Sequence, residues 1–178
     1  MTDERSPKLA PCLSRRDFLI VGSAGVATAV AASGLAQAAD TKSDAGGAVA
    51  KTYPVLDVAP LSSIAADAPV SFNYPDADSP ATLVMLPVSA PGGVGPDNRI
   101  VAYSILCTHK GCPVNYLPER KMFVCPCHWS SFDPAKNGQM IIGQGSQPLP
   151  QIVLRVKDDI VQATGVDGLI YGRHTNIV

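Results

Sequence analysis

Four of the five cysteines and two of the three histidines in this chain fall in two short segments, Cys107-Thr108-His109-Lys110-Gly111-Cys112 and Cys125-Pro126-Cys127-His128-Trp129-Ser130-Ser131-Phe132-Asp133. Each segment offers one thiol and one imidazole at short spacing, C-x-H in the first and C-x-x-H in the second, and glycine or proline shapes each as a loop. Any fold for this chain therefore has to bring two loops together around one metal centre. Two donor sets remain open. Zinc bound by two Cys and two His is the generic reading of such a group. A [2Fe-2S] cluster, with two thiolates on one iron and two imidazoles on the other, uses the same four residues.

The remainder of the chain reads as strands. Compact apolar or alternating runs recur at Val70–Tyr74, Ala81–Leu86 and Ile100–Leu106, each of strand length. The proline- and glycine-dense stretch 91–98 separates the last two as a hairpin loop. Near the C-terminus, Gln151–Val156 and Ile160–Thr164 flank Lys157-Asp158-Asp159, a second hairpin. Residues 62–68 offer at most one helical turn. Fifteen Gly and sixteen Pro support short strands and tight turns over a helical bundle. The expected fold is all-β, an antiparallel barrel or sandwich that hides its sheet edges. A formal charge of −1 leaves no basic field for a phosphate backbone, so no nucleic-acid partner is expected.

The first 38 residues read as an address label. From Phe18 to Ala39 the chain runs 22 residues without a charge, rich in Ala and Gly and poor in Leu and Ile. Ala36-Gln37-Ala38 is an A-x-A cleavage site, and the paired Arg15 and Arg16 make the segment resemble a twin-arginine leader. Such export carries a folded, cofactor-loaded protein to the periplasm and leaves no stable membrane anchor after cleavage. The length also meets the criterion for a retained anchor, which is the alternative. Residues 39–52 have linker composition, and 53–178 form the expected metal-binding domain.

The string C-T-H-K-G-C followed by C-P-C-H-W-S-S-F-D resembles the signature of the Rieske [2Fe-2S] proteins. The resemblance implies one cluster per chain, with Cys107 and Cys125 as thiolate ligands of the buried iron and His109 and His128 as imidazole ligands of the outer iron. It implies a small cluster-binding subdomain inserted in the β fold. It also implies a disulfide between Cys112 and Cys127, whose loop of about fourteen residues would contribute ~3 kcal/mol by chain entropy. Neutral imidazoles in place of two thiolates make such a cluster less negative. Its potential then lies at ~−150 to +300 mV, against ~−400 mV for all-cysteine plant-type clusters.

The flanking residues discriminate among Rieske branches. Ring oxygenases lack the disulfide cysteines. Cytochrome bc subunits carry a Gly-Pro-Ala-Pro type loop where this chain has 143–150, and commonly a Tyr at Phe132 whose hydroxyl bonds a cysteine sulfur. Ser130 retains its hydroxyl, so Ser130 and Phe132 are the expected tuning positions, and the missing phenol should lower the potential. Stretches 69–76, 91–96, 138–141 and 165–173 resemble the arsenite oxidase small subunit. That resemblance implies a non-catalytic electron-transfer subunit of an oxidoreductase. Its partner would be a molybdopterin-containing large subunit that converts arsenite to arsenate, and its acceptor a cytochrome c or an azurin-like cupredoxin. The quinol-oxidising bc subunit is the alternative. Trp129 reads as a loop aromatic shielding the cluster, with a place on an electron path or docking face as the alternative; Lys110, Arg120 and Lys121 read as a solvated face, and His174 as surface. The apolar end, Leu169-Ile170-Tyr171 and Ile177-Val178, reads as a surface for the large subunit.

Overall fold

Strand β4 (Ile100–Ser104) is buried at every position, and this explains why its apolar run shows no alternation. Its two faces enter two different cores. Ile100 and Ala102 pack with Ala81, Leu83, Ile152 and Val161, inside the larger sheet. Val101 and Tyr103 pack with Val84, Phe123, Phe132 and both free cysteines, beneath the loops of the metal centre. Each fully buried side chain of this kind stabilises the fold by ~1.5 to 3 kcal/mol.

A computed structural model describes residues 52–177. The leader with Arg15 and Arg16, and the linker up to residue 51, lie outside the described residues. Six strands, β1 (Leu56–Pro60), β2 (Val70–Asn73), β3 (Pro80–Met85), β4, β9 (Gln151–Lys157) and β10 (Ile160–Asp167), form one antiparallel sheet in the order β1-β10-β9-β4-β3-β2. The sheet curls into a nearly closed barrel. Asp158 and Asp159 turn β9 into β10 with φ of 50° and 59°, as a two-residue primed turn requires.

Between β4 and β9 the chain inserts a second antiparallel sheet of four short strands: β5 (Asn115–Leu117), β6 (Met122–Val124), β7 (Ser131–Asp133) and β8 (Gln139–Ile142). Tyr103 fastens this insertion to the barrel. Its ring lies edge-on to Phe123 at 5.8 Å, and its hydroxyl donates to the Pro134 carbonyl at 2.9 Å. Asp67 adds a second tie by accepting from Tyr116 Oη at 3.0 Å and pairing with Lys121, so Lys121 is a structural contact as well as a surface charge. Leu61–Ser63 makes one 3-10 turn, slightly ahead of the expected helical turn. Among the described residues, no helix is long and apolar enough to cross a membrane.

Candidate metal centre

The two Cys/His loops are the same backbone turn built twice. In the first, the Cys107 N–H donates to the Cys112 carbonyl at 2.9 Å and the Gly111 N–H to the Cys107 carbonyl at 2.8 Å. In the second, the Cys125 N–H donates to the Ser130 carbonyl at 2.8 Å and the Trp129 N–H to the Cys125 carbonyl at 3.0 Å. Both turns need a left-handed residue at their fifth position. Gly111 supplies it at φ 73° without steric cost, whereas Trp129 adopts φ 60°. The repeat explains how C-x-H and C-x-x-H become equivalent: each loop puts its first cysteine at the floor and its histidine at the rim.

Cys107 and Cys125 are free thiols, each 1% exposed, against the core of Tyr103, Phe123 and Phe132. Burial pushes the Cys107 thiol up, the neighbouring Cys125 adds to this, and the N–H groups of His109 and Lys110 pull the other way. A bound metal beside these sulfurs favours the thiolate form that burial disfavours. His109 is half-buried and His128 exposed, with ring centroids 4.8 Å apart and planes at 76°. The structure thus brings together two thiols in a dry floor and two imidazoles nearer solvent, a donor set graded in depth that fits a cluster with two unlike irons.

A disulfide joins Cys112 to Cys127 across the two loops, with Cα atoms 6.6 Å apart. The Cys125 sulfur lies within 4.8 Å of both its sulfurs, but that trio is no metal site because two of its members are bonded to each other.

The third side of the centre is segment 143–147, which in sequence only marked a departure from the bc family. Gly143 has φ 118°, and a Cβ there would stand 2.4 Å from the Ser130 Cα, so the segment lies directly on the second loop. The Gln144 N–H donates to the Ser130 hydroxyl at 3.0 Å. Thr108 receives the other end: its hydroxyl donates to the Gln147 carbonyl at 2.7 Å, and its carbonyl accepts from Ser146 at 2.9 Å. Ser130 is fully buried, and its oxygen takes the Gln144 N–H while its own proton is not used in that bond. Phe132 is fully buried with no hydroxyl to offer.

Two expectations change. Trp129 is 69% exposed, so it does not shield the centre; its left-handed backbone holds the side chain out at the rim. Within the apolar tail only Ile170 is spent inside the domain; Leu169 and Tyr171 remain exposed. Ile170 is 1% exposed, and Tyr171 packs so closely on Gly111 that a Cβ there would meet its ring at 2.7 Å. Arg173 grips Asp76 through two bonds of 2.6 and 2.8 Å, and Asn176 accepts from the Ile170 N–H while donating to the Gly168 carbonyl. Leu169, at 41% exposure, is the apolar residue of this stretch left most open. The tail, Thr108, His109 and Gln144 line an open cleft of about 280 Å³. Residues 143–147 and the tail contacts were missed in sequence because they act through glycines and backbone groups; His174 is exposed as expected.

Comparison with known proteins decides between zinc and iron. The Rieske [2Fe-2S] domain family matches residues 55–153. This chain belongs to the Rieske [2Fe-2S] family. It binds one [2Fe-2S] cluster and is an electron-transfer subunit of an oxidoreductase. It is 39% identical to the iodate reductase subunit IdrB of Denitromonas iodatirespirans over 93% of this chain and 87% of the relative. Its likeness to a cytochrome bc1 Rieske subunit of Streptomyces lividans is 44% over 61 residues, 34% of this chain and 36% of that relative. The soluble domain of Rieske protein II from Sulfolobus acidocaldarius has the same fold, with a TM-score of 0.61 at 22% identity, covering 68% of this chain and 82% of that one.

Proposed function

We propose that this Rieske chain is the electron-transfer small subunit of an arsenite oxidase, exported folded to the periplasm behind its twin-arginine leader. Cys107 and Cys125 hold the inner iron and His109 and His128 the outer one. The observation that carries the electron-transfer role is the graded donor set, with thiols in a dry floor and imidazoles at an accessible rim. When bound, the cluster supplies a one-electron step at a mild potential. The chain's own residues exclude water from the thiolates, orient the imidazoles through the repeated turn, and hold the third side closed from Ser130 and Thr108. Arsenic chemistry belongs to a molybdopterin large subunit, and electrons leave to a cytochrome c or cupredoxin.

Iodate reduction is the second reading, favoured by likeness to iodate reductase subunits over nine-tenths of the chain. It reverses the flow, since the large subunit would then draw electrons from this cluster. The quinol-oxidising reading has less support, because likeness to the bc1 subunit covers only about a third of the chain. One experiment separates the three: EPR of the reduced cluster in periplasmic and membrane fractions of the native host. Arsenite alone should bring the signal up under anaerobic conditions. Loss of a pre-reduced signal on adding iodate, with no response to arsenite, would establish the second reading. Reduction only by a quinol in the membrane fraction would establish the third.

A further inference from the structure

The four sulfurs of the centre form one connected group. Cys112 and Cys127 are bonded to each other, Cys125 lies within 4.8 Å of both, and Cys107 neighbours Cys125. Cys125 therefore stands between a disulfide and a second free thiol, all within one wall of the domain. Both free thiols are 1% exposed, so a thiol in solution reaches them poorly while the internal disulfide is at hand. Thiol–disulfide exchange needs an attacking thiol that gives up its proton, a disulfide sulfur within reach and a resolving thiol, and the group places all three together.

We propose that, without its cluster, the chain isomerises internally from the Cys112–Cys127 disulfide to a Cys107–Cys125 disulfide. The inference rests on the ligand assignment above and extends it. In the first step the Cys125 thiolate attacks the Cys112 sulfur, an S–S bond forms between them, and Cys127 leaves as a thiolate and takes up a proton. Cys112 is the target because Cys125 and Cys127 are separated by Pro126 alone, too short a span for a relaxed bridge. In the second step the Cys107 thiolate attacks the Cys125 sulfur, the Cys107–Cys125 bond forms, and Cys112 leaves and is protonated. The ligand pair loses two electrons and two protons, the original disulfide gains both, and no outside oxidant enters. The two bridges close loops of similar length, so loop entropy opposes neither isomer strongly. The new isomer leaves no free thiol at Cys107 or Cys125 to hold iron. A bound cluster blocks the exchange by engaging both attacking sulfurs. The disulfide is thus a durable staple only with the cluster in place, and cluster insertion has to precede it.

The test is a disulfide map over time. Full-length, iron-loaded chain and the same chain stripped by a chelator without oxygen or added thiol are acid-quenched at intervals, alkylated, digested and read by mass spectrometry. The loaded chain should show only Cys112–Cys127. The stripped chain should convert mainly to Cys107–Cys125 overnight, with Cys112 and Cys127 alkylated and two free thiols among these four throughout. In Cys107→Ser, which lacks a ligand and is mapped as purified without cluster, the resolving thiol is gone and the Cys112–Cys125 intermediate should accumulate. An unchanged Cys112–Cys127 link in the stripped chain would overturn the proposal. So would Cys107–Cys112 and Cys107–Cys127 links as abundant as Cys107–Cys125, because that marks scrambling in an unfolded chain. Iron content of the starting sample separates a failure here from a failure of the ligand assignment, which would leave the isolated chain without iron.

Discussion

Replacing Ser130 by alanine removes one hydroxyl from a fully buried position and has two separable effects. The first is structural. The Gln144 N–H, now bonded to Ser130 at 3.0 Å, loses its acceptor at a partly buried site, which costs about 1 kcal/mol, the low end for an orphaned donor. For a domain of this size that lowers Tm by roughly 3 °C. The second effect is electronic. A hydrogen bond to a charged acceptor is worth ~1.5 to 3 kcal/mol, and the reduced cluster, with one more negative charge, gains more from it than the oxidised one. If half of that energy is felt only by the reduced form, the potential falls by roughly 30 to 60 mV, taking ~1.4 kcal/mol as 59 mV for one electron. An EPR-monitored redox titration reads the potential, and thermal unfolding of the same sample reads the stability. A lower Tm with an unchanged or raised potential would exclude a bond from Ser130 to the cluster and leave Ser130 supporting only segment 143–147.

Phe132→Tyr adds the phenol this chain lacks and should raise the potential in the same titration; an unchanged or lowered value would remove the argument from the missing hydroxyl. Cys112→Ser should still yield coloured protein, but the visible spectrum should bleach faster on warming; failure to acquire any cluster during synthesis would contradict this. Asp76→Asn tests the tail clasp. Arg173 holds the Asp76 carboxyl below its usual range, so its stabilisation is fully present above about pH 4 and disappears as pH falls through the lowered folded value. The variant should melt lower than the parent at pH 7 and converge with it in strong acid, and a constant gap across that range would show that the ion pair is not the source.

The site and the long strands could be read from residue types because their chemistry lives in side chains. Cysteine and histidine at short spacing have few other uses, and β9 and β10 carry patterns of seven and eight residues. Strands β5, β6 and β7 have three residues each, too few for any period to emerge, and their existence depends on pairing across the insertion. Segment 143–147 closes the centre through glycines and backbone groups, which leave no signature of their own. Ile170 reads as part of a partner-facing end because sequence records hydrophobicity and not the face that buries it. Only Ile170 is buried, beside the clasp between Arg173 and Asp76, while Leu169 and Tyr171 stay exposed.

The proposed ligand set joins two thiolates and two imidazoles on one cluster. Pulsed EPR of the reduced, purified chain, grown with and without 15N-histidine and paired with iron and sulfide analysis, tests it most directly. Two irons and two sulfides per chain are expected, with two histidine nitrogen couplings that change on labelling. Bound zinc, or a cluster signal without histidine nitrogen couplings, would contradict it.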